Sequence, residues 1–338
     1  MSAGVLPDFM LADLARAGAI TADIPVGADQ VQPASLDLRL GSFAVRVRAS
    51  FLPGPDATVE ERLASPEIAV HRIDLTHGAV LETGCVYFIP LQERLALPAD
   101  VSGMANPKSS TGRIDVFVRV VCDRAQAFDR IAPGYHGALW IEVSPRTFPV
   151  VVRPGVRLAQ VRLRRGEKRV LRTEDVGVGL VGAPAGYRAE RHTRALDLDR
   201  IGAHDPRDYW APLQPRDGRL ILDPGEFYIL ASGHPIEIPA DEAAEMVPTA
   251  EDLGEFRAHY AGFFDPGFGT VAAGGAGSRA VLEVRGRDVP FLLEHGQPIA
   301  RLVFEPLAAP PAEPYGTRAS NYQGQGLRLS KYFGPWAD

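Results

Sequence analysis

The chain has 338 residues, 46% of them apolar and 23% charged, which predicts two domains that can each bury a hydrophobic core. Its net charge of −6 argues against general binding to nucleic acid or to an anionic membrane. With only two cysteines, Cys85 and Cys122, a disulfide framework and a cysteine-based zinc site are both unexpected.

The first element in chain order is a short amphipathic helix, predicted over Leu6–Ala17 because Leu11, Leu14 and Ala15 share one face. Nothing here resembles a signal peptide or an apolar membrane span, so a cytoplasmic protein is expected. Short runs rich in Val, Ile, Leu, Phe and Tyr follow, separated by frequent Gly and Pro. They predict the strands of an all-β sandwich or barrel. A second helical segment is predicted around Ala240–Tyr260.

The segment Pro107–Arg113 reads PKSSTGR and concentrates groups that bind anions. They are a point charge, two hydroxyls, a turn whose backbone amides can face an anion, and a planar fork of donors. In chain order these groups belong to Lys108, Ser109, Ser110, Thr111, Gly112 and Arg113. The Walker pattern GxxxxGK[ST] is absent, so this is no P-loop. An exposed polar turn before a strand is the competing interpretation.

Glu142 is the second candidate, within the strand sequence ALWIEV. Strand alternation places Glu142 on the same face as Trp140, opposite Ile141 and Val143. A carboxylate beside a tryptophan in a desolvated site has a raised pKa and can shuttle protons. A solvent-facing glutamate on a barrel strand is the competing interpretation.

The chain contains an internal repeat with an offset of 141 residues. LETGCVYFI at 81–89 resembles LDPGEFYIL at 222–230, and 141–163 resembles 282–304 at the same offset. PGYHG at 133–137 matches PGFG at 266–269, and the glycine-rich insertion TVAAGGAGS makes up the difference. A period this long indicates a duplicated domain rather than a solenoid. We expect a catalytic domain over 1–170, a second copy over 171–308 and a tail over 309–338.

The second copy has lost the anion-binding segment. It reads TAEDLG at 249–254, where the first copy has KSSTGR at 108–113. If these residues served only the fold, the second copy would have little reason to lose them all. The comparison therefore favours a functional site in the first copy. Glu283 matches Glu142 in the repeat, so the duplication does not decide the role of that carboxylate.

The tail segment Ser320–Phe333, SNYQGQGLRLSKYF, follows a proline-rich spacer and combines glycines, glutamines, aromatic and basic residues. This composition is typical of a terminal arm that folds over a ligand. An ordinary disordered end has the same composition and is the competing interpretation.

These segments, in this order, resemble the dCTP deaminase branch of the dUTPase-like superfamily. The matching pieces are QPASLDLRLG (32–41), PKSSTGR (107–113), FDRIAPGYHG (128–137), LWIEV (139–143), RPGVRLAQVRL (153–163) and NYQGQG (321–326). The resemblance implies an all-β fold of two tandem distorted jelly-roll domains with few short helices, assembled as trimers. It also implies deamination of dCTP to dUTP, with Mg2+ bound through the triphosphate and no zinc. The H-x-E and P-C-x-x-C motifs of zinc deaminases are absent from the sequence.

Carried over by position, the resemblance makes Glu142 the general base for the water that attacks C4. It places Ser109 and Arg113 on residues that hold this water and stabilise the intermediate. The implied contacts to the phosphates and their surroundings are Lys108, Ser110, Thr111, Gly112, Gln160, Tyr315, Tyr322 and Gln325.

The hairpin that reads the base is ambiguous, because either Cys122–Arg124 or Phe128–Arg130 can occupy the family's Ala-His-Arg position. The expected contacts to the substrate here are Asp129, Arg130, Ala132 and Trp140. Ala132 stands where an aspartate is frequent in the family.

Three functions are open at this point. The first is hydrolytic deamination of dCTP to dUTP and ammonia. The second is a dUTP diphosphatase, or a bifunctional enzyme that gives dUMP, for which Asp123 or Asp129 would supply an acid near the α-phosphate. The third is a non-catalytic nucleotide-binding regulator built on the same scaffold.

Overall fold

The computed structural model describes residues 2–248, 256–259, 262–317 and 320–336. The strands of the first copy are β1 Gly4–Val5, β2 Ile20–Thr21, β3 Leu36–Arg39, β4 Phe43–Val47, β5 Ala69–Asp74, β6 Ala79–Leu81, β7 Val86–Ala96, β8 Val101–Pro107, β9 Val116–Cys122, β10 Arg130–Ile131, β11 His136–Pro145, β12 Val150–Val152 and β13 Arg157–Arg165. Those of the second copy are β14 Arg172–Gly179, β15 Gly186–Ala189, β16 Leu196–Asp197, β17 Trp210–Leu213, β18 Arg219–Leu222, β19 Phe227–Ser232, β20 Glu242–Pro248, β21 Phe256–His259, β22 Gly262–Phe264, β23 Val281–Gly286, β24 Phe291–Glu294 and β25 Pro298–Pro306.

The described helices are short: α1 Asp8–Arg16, α2 Val59–Leu63 and α3 Ser109–Gly112, with 3-10 turns at Pro206–Asp208 and Val271–Ala273. The predicted N-terminal helix is confirmed as α1. The predicted helix around Ala240–Tyr260 is wrong, because its described parts form the strands β20 and β21. Pairing of β20 between β22 and β25 outweighs the helix propensity of its Ala and Glu residues.

The duplication is visible in the strand register. Tyr87 of β7 pairs with Val143 of β11, and Tyr228 of β19 pairs with Val284 of β23, so both partners are displaced by 141 residues. The same displacement relates the β8–β13 pairing to the β20–β25 pairing. The two copies are therefore the same all-β domain, joined in tandem.

Each copy is built on packed antiparallel sheets. The first copy has a sheet of β1, β13, β8 and β10, with β3 on β13, and another of β5, β4, β7, β11 and β9, with β2 on β7. The main sheet of the second copy runs β17, β15, β19, β14, β25, β20 and β22, with β23 on β19 and β21 on β23. Strand β16 pairs in parallel with β12, so a small sheet crosses from one copy to the other.

One hydrophobic core is shared by both copies, and the second copy also has a core of its own. Phe148 of the first copy packs edge-on against Trp210 of the second copy, and both are buried. The tail enters the same core, because Tyr332 and Phe333 are also buried within it. The copies and the tail are thus packed as one unit. No helix in the described ranges is long and apolar enough to cross a membrane.

Candidate active site

A cavity of about 580 Å³ lies between the two copies and beneath the tail. Its wall includes Lys108, Ser109 and Arg113 from the first copy, Glu283 from the second copy and Tyr322 from the tail. The segment that the sequence marked as anion-binding therefore faces a cleft and not open solvent.

The anion-binding segment folds as one helical turn, α3, directly after β8 ends at Pro107. Ser110 and Thr111 are buried, which contradicts the competing interpretation of an exposed polar turn. Ser109 and Ser110 line the cavity, whereas Thr111 does not, and its buried hydroxyl oxygen has no hydrogen-bond partner among the described residues. The turn thus contributes two serine residues to the cavity wall.

One end of the cavity, called the cationic end below, is lined by Lys108, Arg157 and Lys331 around the buried Asp37. The ammonium group of Lys108 forms an ion pair with Asp37, and the guanidinium of Arg157 lies 3.8 Å from the other carboxylate oxygen. Lys331 from the tail lines the same end, and its pKa is lowered by burial and by the nearby Lys108. Lys108, Arg157 and Lys331 bring cationic donors that suit a polyphosphate to this end, and Asp29 and Asp37 balance part of their charge.

Arg113 is buried, with 3% of its surface exposed, and its guanidinium is held by the tail. One terminal nitrogen donates to Gln325 Oε1 and to the carbonyl of Arg328, at 3.0 Å in both cases. The guanidinium also stacks on the Tyr322 ring, 3.9 Å from its centroid. Burial lowers the pKa of Arg113, and the neighbouring Glu283 opposes that effect.

Glu283 lies on β23, and its side chain is buried at the cavity wall. Burial raises the pKa of its carboxyl group to about 8, while the positive charge of Arg113 acts in the opposite direction. A carboxyl group with such a pKa exchanges protons near neutral pH. The cavity therefore combines an acid–base group of the second copy with donors of the first copy.

The other wall from the second copy is formed by the segment 262–268. Asp265 is buried there, and one of its oxygens lies 3.4 Å from the Arg162 guanidinium. Burial raises the pKa of Asp265, with Arg162 acting against it. Phe264 and Phe268 add apolar surface, and their rings meet edge-on. This wall offers apolar and polar contacts suited to a nucleoside.

The tail closes the cavity and is fastened at both ends. Gln323 donates to the carbonyls of Gly267 and Ala273, each at 3.1 Å, and accepts from the amide of Gly269 at 3.1 Å. Nearer the C-terminus, the buried Phe333 packs edge-to-face against Trp210. The described part of the tail is therefore packed against the rest of the protein along the cavity.

The structure separates some predicted site residues from the cavity. Those in its wall are Lys108, Ser109, Ser110, Gly112, Arg113, Gln160, Tyr315, Tyr322 and Gln325. Those that do not line it are Thr111, Asp129, Arg130, Ala132, Trp140 and Glu142. The hairpin of the first copy, with Asp129, Arg130 and Ala132, therefore does not face the cavity. Trp140 packs instead in a separate apolar cluster.

The structure places Glu142, the base that the sequence predicted, outside this cavity. Its carboxylate accepts from Arg119 at 2.7 and 3.1 Å and from the hydroxyl of Ser50. Arg119 in turn lies over the Phe128 ring, 3.4 Å from its centroid. The physical reason is the packing of the copies, because Arg113 faces strand β23 of the second copy and not β11 of its own copy.

The comparisons with known proteins agree with this architecture. The family model described as the 2'-deoxycytidine 5'-triphosphate deaminase N-terminal domain matches residues 2–167, and that of the C-terminal domain matches 173–333. The crystal structure of 2'-deoxycytidine 5'-triphosphate deaminase from Agrobacterium tumefaciens is 49% identical, covering 92% of this chain and 100% of that chain, with a TM-score of 0.87. The chain belongs to the 2'-deoxycytidine 5'-triphosphate deaminase family.

Curated relatives in this deaminase family match about one copy of the duplicated chain. The dUMP-forming dCTP deaminase of Coprothermobacter proteolyticus is 27% identical over 46% of this chain and 80% of its own length. The dCTP deaminase of Haloarcula marismortui is 30% identical over 39% of this chain and 65% of its own length.

Sequence reasoning missed the contribution of the second copy to the site of this deaminase-family chain. A signal was present in the repeat: where the first copy reads Ala132 before Pro-Gly, the second copy reads Asp265 before Pro-Gly. The second copy thus has an aspartate where the first copy has an alanine, and Asp265 lines the same cavity as Glu283. Reading the two copies as complementary halves would have placed both acids in one site.

Proposed function

We propose that this chain hydrolyses the 4-amino group of dCTP, giving dUTP and ammonia, and that Glu283 is the general base. The observation that carries the proposal is a single cavity that holds Ser109, Arg113 and a buried carboxyl group with a pKa of about 8. Such a group can both take a proton from water and return it during one turnover. Membership of the dCTP deaminase family supports the choice of substrate.

In the proposed reaction, water attacks C4 while Glu283 takes one of its protons and passes it to N3. The resulting intermediate carries both a hydroxyl and an amino group on C4. Glu283 then moves the hydroxyl proton to the amino group, the C4–N bond breaks, and ammonia leaves as the C4 carbonyl forms. Ser109 holds the attacking water, and the Arg113 guanidinium stabilises negative charge that develops on oxygen.

The triphosphate lies, in this proposal, at the cationic end beside Lys108 and Lys331, with Ser110 and Gln160 as further hydrogen-bonding groups. Mg2+ would be held by phosphate oxygens and water, the coordination that it prefers. In the described part of the chain, no group of three His, Cys, Asp or Glu side chains is placed to hold a metal ion. Such an ion would neutralise phosphate charge and help to place the triphosphate. A reaction without zinc stays a prediction, which metal analysis of the active protein tests.

A dUMP-forming enzyme is the second candidate, because the relative from Coprothermobacter proteolyticus carries that name. The acids that the sequence offered for phosphate hydrolysis do not line the cavity: Asp123 accepts from the amide of Val59 at 2.9 Å, and Asp129 accepts from that of Val120 at 2.7 Å. Asp265 of the second copy does line the cavity and is the acid that we assign to this alternative. A non-catalytic regulator finds no support, since the cavity retains both donors and a buried carboxyl group.

Product analysis with dCTP and Mg2+ tests these alternatives. We expect equal amounts of ammonia and dUTP; dUMP with pyrophosphate would favour the second candidate, and no ammonia would refute deamination. The matched pair of variants is Glu283→Gln and Glu142→Gln, which change the same strand position in the two copies. Loss of turnover is expected only for Glu283→Gln. Loss in Glu142→Gln alone, with a folded protein, would return the base to the first copy.

The trimer and the cytoplasmic location remain predictions. One chain supplies both copies and the tail to the cavity, so we expect turnover per chain to be independent of protein concentration. Light scattering combined with activity measured across a dilution series tests the assembly, and cell fractionation tests the location.

A further inference from the structure

Gln325 is a buried bridge between the two copies. Its side-chain oxygen accepts from Arg113 at 3.0 Å, and its side-chain nitrogen donates to the carbonyl of Arg279 at 2.9 Å. The backbone of Gln325 is fixed as well, because its carbonyl accepts from the amide of Arg279 at 2.8 Å. These three hydrogen bonds together hold the side-chain amide of Gln325 against Arg113.

Tyr322 supports the same guanidinium from its flat face. The ring lies 3.9 Å from the guanidinium carbon of Arg113, and the tyrosine hydroxyl accepts from the backbone amide of Lys331 at 3.3 Å. An aromatic ring beneath a guanidinium favours the planar cation and restricts its tilt. Tyr322 and Gln325 together restrict both the tilt and the in-plane orientation of Arg113.

The tail uses only part of the donor capacity of Arg113. A guanidinium carries five N–H donors, and the tail engages one terminal nitrogen. The Nε atom of Arg113 is buried without a hydrogen-bond partner among the described residues. A buried donor left unpaired is costly, and a bound ligand or water would remove that cost. The tail contacts thus decide which donors of Arg113 remain for the substrate.

We infer that Gln325 and Tyr322 are positioning residues, which hold the guanidinium of Arg113 toward Glu283 and the reacting pyrimidine. The inference rests on the proposed deaminase function and extends it, since the tail then contributes to the chemical step as well as covering the nucleotide. It also has an electrostatic consequence. The charge of Arg113 lowers the pKa of Glu283 against the effect of burial. Displacing the guanidinium weakens that influence, so Glu283 holds its proton to higher pH.

The main test compares Gln325→Met with Gln323→Met. Methionine has a similar size and shape but forms neither of the glutamine hydrogen bonds. Gln323 is a matched control because it fastens the same tail to the second copy, yet its hydrogen bonds go to backbone groups and not to Arg113. We expect Gln325→Met to lower kcat about 10- to 100-fold, as for the loss of a hydrogen bond to a charged group. Gln323→Met should mainly raise KM and lower the unfolding temperature.

The position of the acidic limb in the pH profile of kcat is a second measurement, which loosening of the tail alone would not change. In Gln325→Met the acidic limb of the kcat profile should move to higher pH, because Glu283 loses part of the influence of Arg113. In Gln323→Met the limb should stay where it is in the unchanged protein. Equal losses of kcat in the two variants, or an unshifted limb in Gln325→Met, would overturn the inference.

A second pair covers the case in which Gln325→Met fails to fold. Tyr322→Phe keeps the ring beneath Arg113 and should retain most of kcat, whereas Tyr322→Leu removes the ring and should lose it. Equal kcat in these two variants would count against the inference. If the unchanged protein releases no ammonia from dCTP, the proposed function itself has failed; if it is active but the variants do not separate, only the positioning role has failed.

Discussion

Replacing Glu283 with Gln should stabilise the protein at alkaline pH while abolishing turnover. The Glu283 carboxyl is buried, and its pKa is raised from the ordinary value of 4.5 to about 8. The folded state therefore binds this proton more tightly than the unfolded state does. Between these two pH values the unfolded chain has released the proton while the folded chain retains it, so folding stability falls as the pH rises.

The size of the effect follows from the pKa difference. One pKa unit corresponds to about 1.4 kcal/mol, so a rise from 4.5 to about 8 corresponds to at most about 5 kcal/mol of lost stability. The loss is absent below the unfolded-state pKa and complete above the folded-state pKa. Glutamine has the same shape and never ionises. The Glu283→Gln variant should therefore match the unchanged protein near pH 4.5 and exceed its stability by several kcal/mol above pH 8.

Unfolding by urea or heat at several pH values measures this difference, because other titrating groups are common to both proteins and cancel. Glu142→Gln is the control at the equivalent position of the first copy. It replaces the charged carboxylate that accepts from Arg119 and Ser50 with a neutral amide that has one acceptor oxygen, so it should destabilise the protein by about 1–3 kcal/mol at neutral pH. A Glu283→Gln stability difference that does not change with pH would refute the raised pKa. If both substitutions changed the free energy of unfolding in the same direction at alkaline pH, the contrast between the two glutamates would be refuted.

Three further results are expected. In the unchanged protein, kcat/KM for dCTP should rise with pH towards about 8, since the base must be deprotonated, and a flat profile from acidic to neutral pH would contradict this. Deleting 320–338 should abolish turnover and also lower the unfolding temperature, because Tyr332 and Phe333 are buried in the shared core; an unchanged unfolding temperature would contradict the packing. Titration calorimetry of Glu283→Gln with dCTP should give one nucleotide per chain, because the Glu142 carboxylate is occupied by Arg119, and two would contradict a single site.

Much of the fold is predictable because local pattern and tertiary structure agree. The apolar runs that predict strands are strands, and the 141-residue offset in the sequence reappears as an identical pairing register in the two copies. The segment Glu242–Pro248 is the exception, since its Ala and Glu residues favour a helix locally. Its central residues are buried between neighbouring strands, and that burial decides the outcome.

The candidate site is predictable on one side only. The donors at Lys108, Ser109 and Arg113 are contiguous, so their meeting needs no tertiary information. The proposed base cannot be predicted in the same way. Glu142 and Glu283 occupy the same register of equivalent strands, so the sequence alone does not favour one of them over the other. Only the packing of one copy on the other shows that Arg113 faces Glu283. Local sequence cannot supply that relation, since it depends on which surfaces of two similar domains meet.

The division of site residues between the copies explains why neither copy has kept the full set. Two copies that share a site need the phosphate-side donors from one partner and the acids from the other. The first copy keeps Lys108 and Arg113 but has Ala132 where the second has Asp265. The second copy keeps Asp265 and Glu283, and its segment at 249–254, which lies outside the described residues, has no cation. The second copy therefore offers Glu142 no equivalent of Lys108 and Arg113 at 249–254, and Arg119 of the first copy forms an ion pair with the Glu142 carboxylate. The second copy is therefore the half that carries the proposed base, and a substitution at Arg113 and one at Glu283 should damage the same site.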